Sequence, residues 1–375
     1  MGRSEEQSQG MESVELTFSD WAFGGEALGR DAQGRVIFAP FTIPGERARV
    51  DLSDVHARWA RGRAQEWLIE APQRVAARCL HFGECGGCHY QHVELATQSK
   101  AKAEIVRHQL TRIGGFEDPP LAETVPAPQA WNYRNKLSFR QTPEGRLAYT
   151  ALDGTSLMAV QECHLPMPEL GDLWPRLALE PIPGLQEISL RVGRDDARMV
   201  IFRAEGPPRS EFTIDAPLSV VWLWPEGTAV LAGDDHLWME AAGRDFRVSA
   251  GSFFQVNNAQ AGELVSLVME ALAPQPGEWI FDLYAGVGLF SLFLAEAGAG
   301  VVAVEASPWA CADFEANLDP YPDVELYEAD LETALAAIPQ QPSAAVVDPP
   351  RAGMSREALQ ALVARSPERL VYVSC

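Results

Sequence analysis

The chain has 375 residues, of which 47% are hydrophobic and 22% charged, and its formal net charge is −22. This length allows two or three domains that each bury a core, and the apolar share excludes a disordered chain. The longest apolar runs, such as 289–295, are far shorter than the roughly 20 residues of a membrane span, and the polar, acidic start does not match a secretory signal. We therefore expect a soluble, cytoplasmic monomer that does not enter membranes.

The acidic balance argues against nucleic-acid binding over most of the chain, because polyanions are bound through Lys and Arg. Residues 1–140 carry 17 Lys and Arg against 18 Asp and Glu, whereas residues 141–375 carry 13 against 34. Any RNA contact should therefore favour the first part, which contains an Arg-rich stretch. The alternative for that stretch is a solvated surface of mixed charge. Its arginines are Arg47, Arg49, Arg58, Arg61, Arg63, Arg74 and Arg78.

Short strands with glycines at the turns between them are predicted for residues 14–70, after a flexible tail at 1–13. Two of these strands are Val14–Phe18 and Val36–Phe38. Close spacing of this kind indicates a small OB-like β-barrel, which often binds oligonucleotides because one face can carry Arg and aromatic groups. The fold alone does not establish that function.

The middle of the chain, about residues 71–250, mixes a Cys-rich loop, a helix at 93–112 and strands at 137–140 and 187–192. Pro-rich segments interrupt these elements, which is typical of an α+β region with many turns.

Four cysteines have a spacing that suggests a metal site. Cys79, Cys85 and Cys88 lie in one Gly-rich loop, and Cys163 is far downstream. Four cysteines suit either tetrahedral zinc or a 4Fe–4S cluster, and the spacing favours the cluster because zinc usually recruits two Cys-x2-Cys pairs. The alternative is small core residues without a ligand, which is what we expect of Cys311 inside a helix.

From about residue 251 predicted helices alternate with buried strands. Runs of Val, Ile and Leu between helices predict a parallel sheet that is covered on both faces. Right-handed crossovers make this a Rossmann-like, doubly wound domain of the α/β class, which binds ligands beyond the carboxyl ends of its strands. The predicted helices are 259–272, 289–297, 310–318, 331–338 and 356–364, and the predicted strands are 278–283, 301–304, 324–327, 344–347 and 370–373.

A nucleoside site is predicted where the first of these strands ends. Gly286 and Gly288 open the following helix and allow a ligand to approach the backbone closely, although Gly-x-Gly alone is a weak signal. Glu305 ends the second strand, where it can accept both ribose hydroxyls, and Asp330 follows the third, near an adenine. S-adenosylmethionine suits these acidic surroundings because it carries a sulfonium and no phosphate. The alternative is ordinary acidic residues at loop starts.

Cys375 follows the last predicted strand, in the cleft where this kind of fold carries out its chemistry. Asp348 and Arg351 lie on a Pro-stiffened turn after the preceding strand, where they can hold a heterocycle edge and a phosphate or carbonyl group. From the pattern alone, Cys375 can equally be a core residue.

In combination these motifs closely resemble the RNA uracil-5-methyltransferase family, specifically the bacterial 23S ribosomal RNA branch with a TRAM domain and an iron–sulfur cluster. The resemblance spans about residues 12–375. The motifs that carry it are Cys79-x5-Cys85-x2-Cys88 with Cys163, Tyr133-Arg134-Asn135-Lys136, Phe253-Phe254-Gln255-Val256-Asn257, Asp282 to Gly288, Asp348-Pro349-Pro350-Arg351 and Val371-Tyr372-Val373-Ser374-Cys375.

The resemblance implies a TRAM-like RNA-binding barrel at 14–70 and a central α+β domain with the iron–sulfur loop at 71–92 and 125–250. Residues 93–124 and 251–375 would form the methyltransferase domain. Leu289 stands where the branch commonly has a polar residue, so one cofactor contact differs. The implied cofactor contacts are Gln255, Tyr284, Gly286, Gly288, Glu305, Asp330 and Asp348, the implied nucleophile is Cys375, and the implied ligands of a 4Fe–4S cluster are Cys79, Cys85, Cys88 and Cys163.

The implied substrate sets the chemistry. Uracil C5 is a poor nucleophile, so the thiolate of Cys375 first adds to C6, after which C5 can accept the methyl group while Asp348 holds the base. A general base then removes the C5 proton, and the thiolate leaves. The target uridine must be flipped out of a helix or lie in a loop. The resemblance favours 23S ribosomal RNA over transfer RNA.

The family continues beyond the nucleophile with a segment that carries a Glu as general base, whereas nothing follows Cys375 here. We therefore expect a truncated gene or a fragment that makes, at best, the covalent adduct and the methylated intermediate. The alternatives are a catalytically impaired RNA-binding protein, a transfer RNA uridine methyltransferase, and an enzyme for a protein or small molecule, against which the barrel argues.

Overall fold

A computed structural model describes residues 12–209, 213 and 215–374. Cys375 and almost all of the predicted tail at 1–13 lie outside the described residues. The chain forms two compact units, the first comprising residues up to Pro126 together with Ala148–Glu162, and the second comprising Ala127–Leu147 and the residues from Cys163 onward.

The first unit contains the predicted small β-barrel, which is confirmed as a closed barrel of five strands in the order β1-β2-β3-β5-β4. Alternate residues point inward, so that Leu16, Phe18, Ala48 and Val50 are at most 4% exposed. A Cβ at Gly29 would lie 2.4 Å from a backbone oxygen of the neighbouring strand, which explains the glycine. The strands are β1 (Ser13–Trp21), β2 (Ala27–Arg30), β3 (Val36–Ala39), β4 (Arg47–Val55) and β5 (Trp59–Ile69).

Helix α1 (Leu95–Arg112) belongs to the same unit as the barrel. Its buried residues Ala101 and Ile105 pack in one cluster with Trp21 and Ile43. The structure therefore groups 93–124 differently from the sequence-based domain division, which put this segment in the methyltransferase domain. The reason is physical, because an amphipathic pattern predicts a helix with one buried face but does not say which element covers that face.

The second unit begins with a mixed, mostly antiparallel sheet whose strands lie in the order β12-β11-β10-β9-β6. Strands β10 and β11 are parallel, and a separate antiparallel hairpin follows as β13 and β14. The elements of this unit are β6 (Lys136–Gln141), α2 (Pro168–Leu173), β9 (Leu185–Val192), β10 (Arg198–Ala204), β11 (Ser219–Trp224), β12 (Gly227–Ala232), β13 (His236–Ala241) and β14 (Arg244–Ser249). Strand β7 (Leu147–Thr150) pairs with β8 (Leu157–Ala159), and all of this hairpin except Leu147 belongs to the first unit.

The chain ends in a five-stranded parallel sheet in the order β17-β16-β15-β18-β19. Consecutive residues of β15 face opposite sides, with Ile280 in one buried cluster and Phe281 in another, so apolar groups cover both faces. The elements are α3 (Asn258–Leu272), β15 (Trp279–Leu283), α4 (Leu289–Glu296), β16 (Gly300–Glu305), α5 (Pro308–Leu318), β17 (Val324–Glu328), α6 (Leu331–Ala337), β18 (Ala344–Val347), α7 (Arg356–Arg365) and β19 (Arg369–Tyr372).

None of the helices within the described ranges combines the length and the apolar character that crossing a bilayer requires.

Candidate active site

The carboxyl edge of the parallel sheet gathers most of the predicted site residues of the second unit. Leu283 of β15 is level with Val304 of β16 and with Val347 of β18, so neighbouring strands end at the same height. Tyr284, Glu305 and Asp348 come at the ends of these strands, and Asp330 follows β17. The chain order reverses between β15 and β18, which is where sheets of this kind bind ligands.

The loop from β15 to α4 has a backbone that turns through three left-handed residues. Tyr284 has φ 65°, Gly286 has φ 57° and Gly288 has φ 92°. A Cβ at Gly288 would lie 2.5 Å from the Leu318 side chain, so this position requires glycine for space as well as for conformation. Tyr284 is not a glycine, and its left-handed conformation stores backbone strain at the tip of the central strand.

Glu305 closes this loop from the neighbouring strand. Its Oε2 accepts a hydrogen bond of 2.8 Å from the Gly286 N–H, and its Oε1 accepts from the N–H groups of Ala306 at 2.9 Å and Ser307 at 2.8 Å. A carboxylate offers about four acceptor positions, so capacity for a further donor remains.

Asp282 is a functional candidate that the sequence analysis contained only within a motif. It is completely buried, and the Ser291 hydroxyl donates to its Oδ2 at 2.7 Å while Oδ1 has no hydrogen-bond partner among the described residues. Burial raises the pKa of Asp282 to about 7, against the Ser291 hydrogen bond, and the negative charges of Asp348 and Glu305 raise it further. The carboxyl group is therefore mostly protonated below neutral pH.

Asp348 is half-buried directly after β18, where burial raises its pKa to about 6. The next strand along continues this edge, because the Val373 N–H donates to the Val347 carbonyl at 2.8 Å. Two residues later comes Cys375, the predicted nucleophile, which lies outside the described residues. Asp330 is exposed just before α6, and its side chain makes no capping hydrogen bond with that helix in the described chain.

Gln255 lies just before α3 and is held through its backbone. The buried Asn135 side chain donates to the Gln255 carbonyl at 2.8 Å and to Asn258 Oδ1 at 2.5 Å, and the Asn135 N–H donates to the Val256 carbonyl at 2.9 Å. Two motifs of the sequence analysis thus contact one another. Phe254 packs in the same buried cluster as Ala285 of the glycine loop.

A buried charge network supports the turn that precedes Gln255, and sequence analysis missed it. Arg191, 1% exposed, donates to the Ser249 carbonyl at 2.9 Å and to the Ser252 carbonyl at 2.7 Å. Asp313 of α5 accepts from the Ser249 N–H at 2.6 Å and the Ser252 hydroxyl at 2.5 Å. No sequence signal distinguishes Arg191 and Asp313 from surface charges, because both lie in otherwise ordinary amphipathic elements.

The Cys-rich loop belongs to the first unit. Cys79, Cys85 and Cys88 are half-buried, and the Cys85 sulfur accepts a hydrogen bond of 3.4 Å from the Gly87 N–H. Cys163 belongs to the second unit. Within the described ranges, no three or more His, Cys, Asp or Glu side chains are grouped so that they could hold a metal ion.

Cys311 agrees with its predicted role as a core residue. It is buried in α5, and burial together with nearby glutamates raises the pKa of its thiol to about 12.

The Arg-rich stretch has the mixed charge of the alternative interpretation, because carboxylates pair with most of its arginines. Arg49 pairs with Glu15 at 3.0 Å and Glu66 at 2.7 Å. Arg58 and Arg63 form no ion pair with any described residue. The other pairs are Arg47 with Glu15 at 3.3 Å, Arg61 with Glu26 at 2.5 Å and Arg74 with Glu46 at 2.5 Å.

Comparison with known proteins gives close relatives over nearly the whole chain, although no protein-family model matches. An uncharacterized RNA methyltransferase of Thermosynechococcus vestitus is 32% identical over 97% of this chain and 88% of its own length. The 23S rRNA (uracil(1939)-C(5))-methyltransferase RlmD of Cronobacter sakazakii is 31% identical over 91% of this chain and 82% of its own length.

Among solved structures, the tRNA (uracil-54, C5)-methyltransferase of Pyrococcus abyssi, in complex with S-adenosyl-L-homocysteine, has the same fold. It matches with a TM-score of 0.70 and 23% identity over 96% of this chain and 90% of its own.

Proposed function

We propose, from the premise that this chain belongs to the RNA uracil-5-methyltransferase family, that it transfers a methyl group from S-adenosylmethionine to C5 of a uridine in RNA. The observation that carries this proposal is the set of acidic groups at one edge of the parallel sheet, beside a glycine loop. Glu305, Asp330 and Asp348 have no cationic partner within the described ranges, and they surround the point where this type of sheet binds ligands.

The residues of this edge fit S-adenosylmethionine. Glu305 would accept the ribose hydroxyls, Asp330 would lie near the adenine, and the backbone of Gly286 and Gly288 would allow close approach. The partnerless Oδ1 of buried Asp282 and the raised pKa of Asp348 are the features that a cationic ligand would relieve. When bound, S-adenosylmethionine supplies a methyl group on a positively charged sulfur.

The remaining chemistry would fall to the chain's own side chains. Cys375 would add its thiolate to uracil C6, which makes the neighbouring C5 nucleophilic toward the methyl group. A general base would then remove the C5 proton, and the bond between C6 and the Cys375 sulfur would break to release the product; none of the side chains named here is assigned as that base. Asp348 would hydrogen-bond the edge of the base and hold it in the orientation for attack. Gln255, fixed by Asn135 at its carbonyl, would contribute its side chain to the same cleft.

Ribosomal RNA is the substrate that we propose, with the protein acting in the cytoplasm. Two features support this choice: the relative at 31% identity is named for 23S rRNA, and the closed barrel is of a type that binds oligonucleotides. A transfer RNA substrate is the second candidate, favoured by the solved structure with the same fold.

We further propose that Cys79, Cys85, Cys88 and Cys163 bind a 4Fe–4S cluster, the barrel then being a TRAM domain. The donor set suits the cluster, since half-buried thiols on a Gly-rich loop can reach an incoming iron–sulfur unit. Among the described residues these thiols do not form a group that could hold a metal ion. No step of methyl transfer requires electron transfer, and the cluster would be structural.

Single-turnover labelling tests the proposed activity. Protein is mixed with radiolabelled S-adenosylmethionine and transcripts of 23S rRNA segments or of transfer RNA, and we expect label to enter C5 of uridine in the ribosomal transcripts. RNA that contains 5-fluorouridine should give a denaturation-resistant protein–RNA adduct, because fluorine at C5 blocks the final proton removal.

Cys375→Ser is the control for the nucleophile, and Cys311→Ser is the matched control at a buried cysteine. The first should abolish the adduct, and the second should leave it. Methyl incorporation that continues undiminished in Cys375→Ser would contradict the mechanism, and adduct formation without incorporation would favour an impaired RNA-binding protein.

A further inference from the structure

We propose that a pocket on the barrel unit binds one unpaired nucleobase of the RNA, an inference that rests on the proposed function. The pocket, here named the Phe41 pocket, has a volume of about 190 Å³. Drug-sized ligands occupy about 300–1,000 Å³, so this pocket takes a single small planar group. Residues that line it include Phe41, Arg63, Trp67, Arg74, Phe82 and Gly83.

Aromatic rings form one wall of the Phe41 pocket. Phe41 and Phe82 contact edge to face, with their ring centroids 4.9 Å apart. Phe41 has φ 61°, an uncommon conformation for a bulky residue, and its carbonyl accepts a hydrogen bond of 2.9 Å from Arg74. Backbone strain of this kind persists where the surrounding structure holds it, often at ligand sites. Both phenylalanines are half-buried, so part of each ring remains accessible.

Behind the two phenylalanines lies His92, which is buried and packs against both rings from the side of the protein core. Its ring centroid lies 5.5 Å from that of Phe82 and 6.1 Å from that of Phe41. Burial first, and then the charge of Arg74, lower the pKa of His92 to about 4. The imidazole is therefore neutral at physiological pH, and the wall suits the face of a base.

The two arginines of the pocket differ in what they can still bind. Arg74 is engaged by Glu46 at 2.5 Å and lies over the Trp67 ring, 4.9 Å from its centroid. Arg63 is exposed, forms no ion pair with any described residue, and donates to the Gly83 carbonyl at 3.3 Å. A guanidinium has five N–H donors, so Arg63 keeps donors and an uncompensated charge beside the rings.

An uncompensated arginine next to accessible aromatic faces is the chemistry that recognises single-stranded RNA. Splayed bases stack on aromatic side chains, and arginine contacts the base edge or the adjoining phosphate. Double-stranded RNA keeps its bases stacked inside the helix and is bound through phosphates and 2′-hydroxyls, for which the rings would be superfluous.

Fluorescence anisotropy of the full chain with a fluorescein-labelled 12-nucleotide single-stranded uridine RNA tests the pocket. Arg63→Ala and Phe82→Ala should each raise the dissociation constant about tenfold, since stacking and charge contacts of this kind contribute that much per base. Phe82→Trp, which retains a stacking face, should stay within about twofold of wild type. Arg61→Ala is the matched control, because Arg61 lies two residues away on β5 and is exposed but paired with Glu26; it should also stay within about twofold.

A second probe separates the base from the phosphates. The same measurement with an abasic oligonucleotide should show weak binding that no longer responds to Phe82→Ala. Equal losses of RNA affinity in Arg63→Ala and Arg61→Ala would contradict the proposal that the Phe41 pocket binds a base. Abasic RNA that binds as tightly as the uridine RNA would contradict it as well. Thermal unfolding of each variant checks that it is folded. Phe82→Leu is a second substitution that removes the aromatic ring but keeps an apolar side chain of similar bulk.

The pocket proposal and the proposed methyltransferase activity can fail independently of one another. If wild-type protein methylates RNA while all variants bind equally, the pocket inference fails alone. If binding depends on Arg63 and Phe82 but no methyl group enters any RNA, the proposed function fails and the pocket stands.

Discussion

The barrel surface and the carboxyl edge of the parallel sheet both carry many charged residues. On the barrel most of these charges are paired with opposite charges, whereas at the sheet edge, among the described residues, they are not. On the barrel, exposed arginines pair with exposed glutamates, as Arg49 does with Glu15 and Glu66. At the sheet edge, Asp282 and Asp348 have no cation beside them within the described ranges, and their pKa values rise. Paired charges leave little net charge to attract a ligand, whereas carboxylates without a cationic partner can bind a cation.

The largest expected effect is on stability and comes from Gly288→Val, in the glycine loop at the sheet edge. The new side chain would meet Leu318 at a backbone position with φ 92°. Overpacking and strain together should lower the free energy of unfolding by about 4 kcal/mol, as measured by urea denaturation. Gly277→Val has a similar φ of 83° but open space, and it should lose distinctly less. Equal losses would show that packing at Gly288 is unimportant.

Loss of Glu305 should have the next largest effect, on cofactor binding. Glu305→Ala removes the carboxylate that closes the glycine loop, and we expect S-adenosylhomocysteine affinity to fall about a hundredfold in calorimetry, since charge-assisted hydrogen bonds contribute about 1.5–3 kcal/mol each. Glu325→Ala, an exposed site on the adjacent strand, serves as the control and should bind as wild type. An unchanged affinity in Glu305→Ala would remove Glu305 from the cofactor site.

A smaller effect should appear in the pH dependence of stability. Because the pKa of Asp282 is raised to about 7, the folded state holds a proton that the unfolded state releases above about pH 4. Its stabilising contribution is complete below that pH and is lost as pH rises through about 7. Relative to Asp282→Asn, the wild type should lose roughly 2 kcal/mol of unfolding free energy between pH 5 and pH 7. Parallel profiles for the two proteins would show that Asp282 is already ionised.

The smallest effect should come from the barrel surface. Arg49→Ala breaks two exposed ion pairs, which solvent screens, so the melting temperature and the RNA affinity should change little. A large loss of RNA affinity would mean that Arg49 exchanges its glutamates for phosphates, and the contrast between the two regions would then weaken.

The elements of the sheet were largely predictable because each is marked locally. The predicted strand at 344–347 coincides with β18, and the predicted strand at 278–283 differs from β15 by one residue. Uninterrupted Val, Ile and Ala identify buried parallel strands, and glycine turns identify the barrel. The positions of Glu305 and Asp348 were predictable because a residue that ends or follows a parallel strand lies at the carboxyl edge of the sheet.

Pairings between distant residues were not predictable, because no local pattern records them. Glu15 and Arg49 are 34 positions apart, so the sequence does not show that they pair. The buried Arg191 has the same alternation as any strand residue, and only the tertiary structure reveals that it supports the turn before Gln255. The packing of α1 with the barrel was not predictable for the same reason, because it depends on contacts between residues that are distant in the sequence.

The contact of Asn135 with the Gln255 carbonyl joins segments that are 120 positions apart. Closing so long a loop is entropically unfavourable, and non-local contacts of this kind slow folding. We therefore expect the cleft to form late in folding. A fragment that begins at residue 251 would expose the backbone acceptors that Asn135 satisfies.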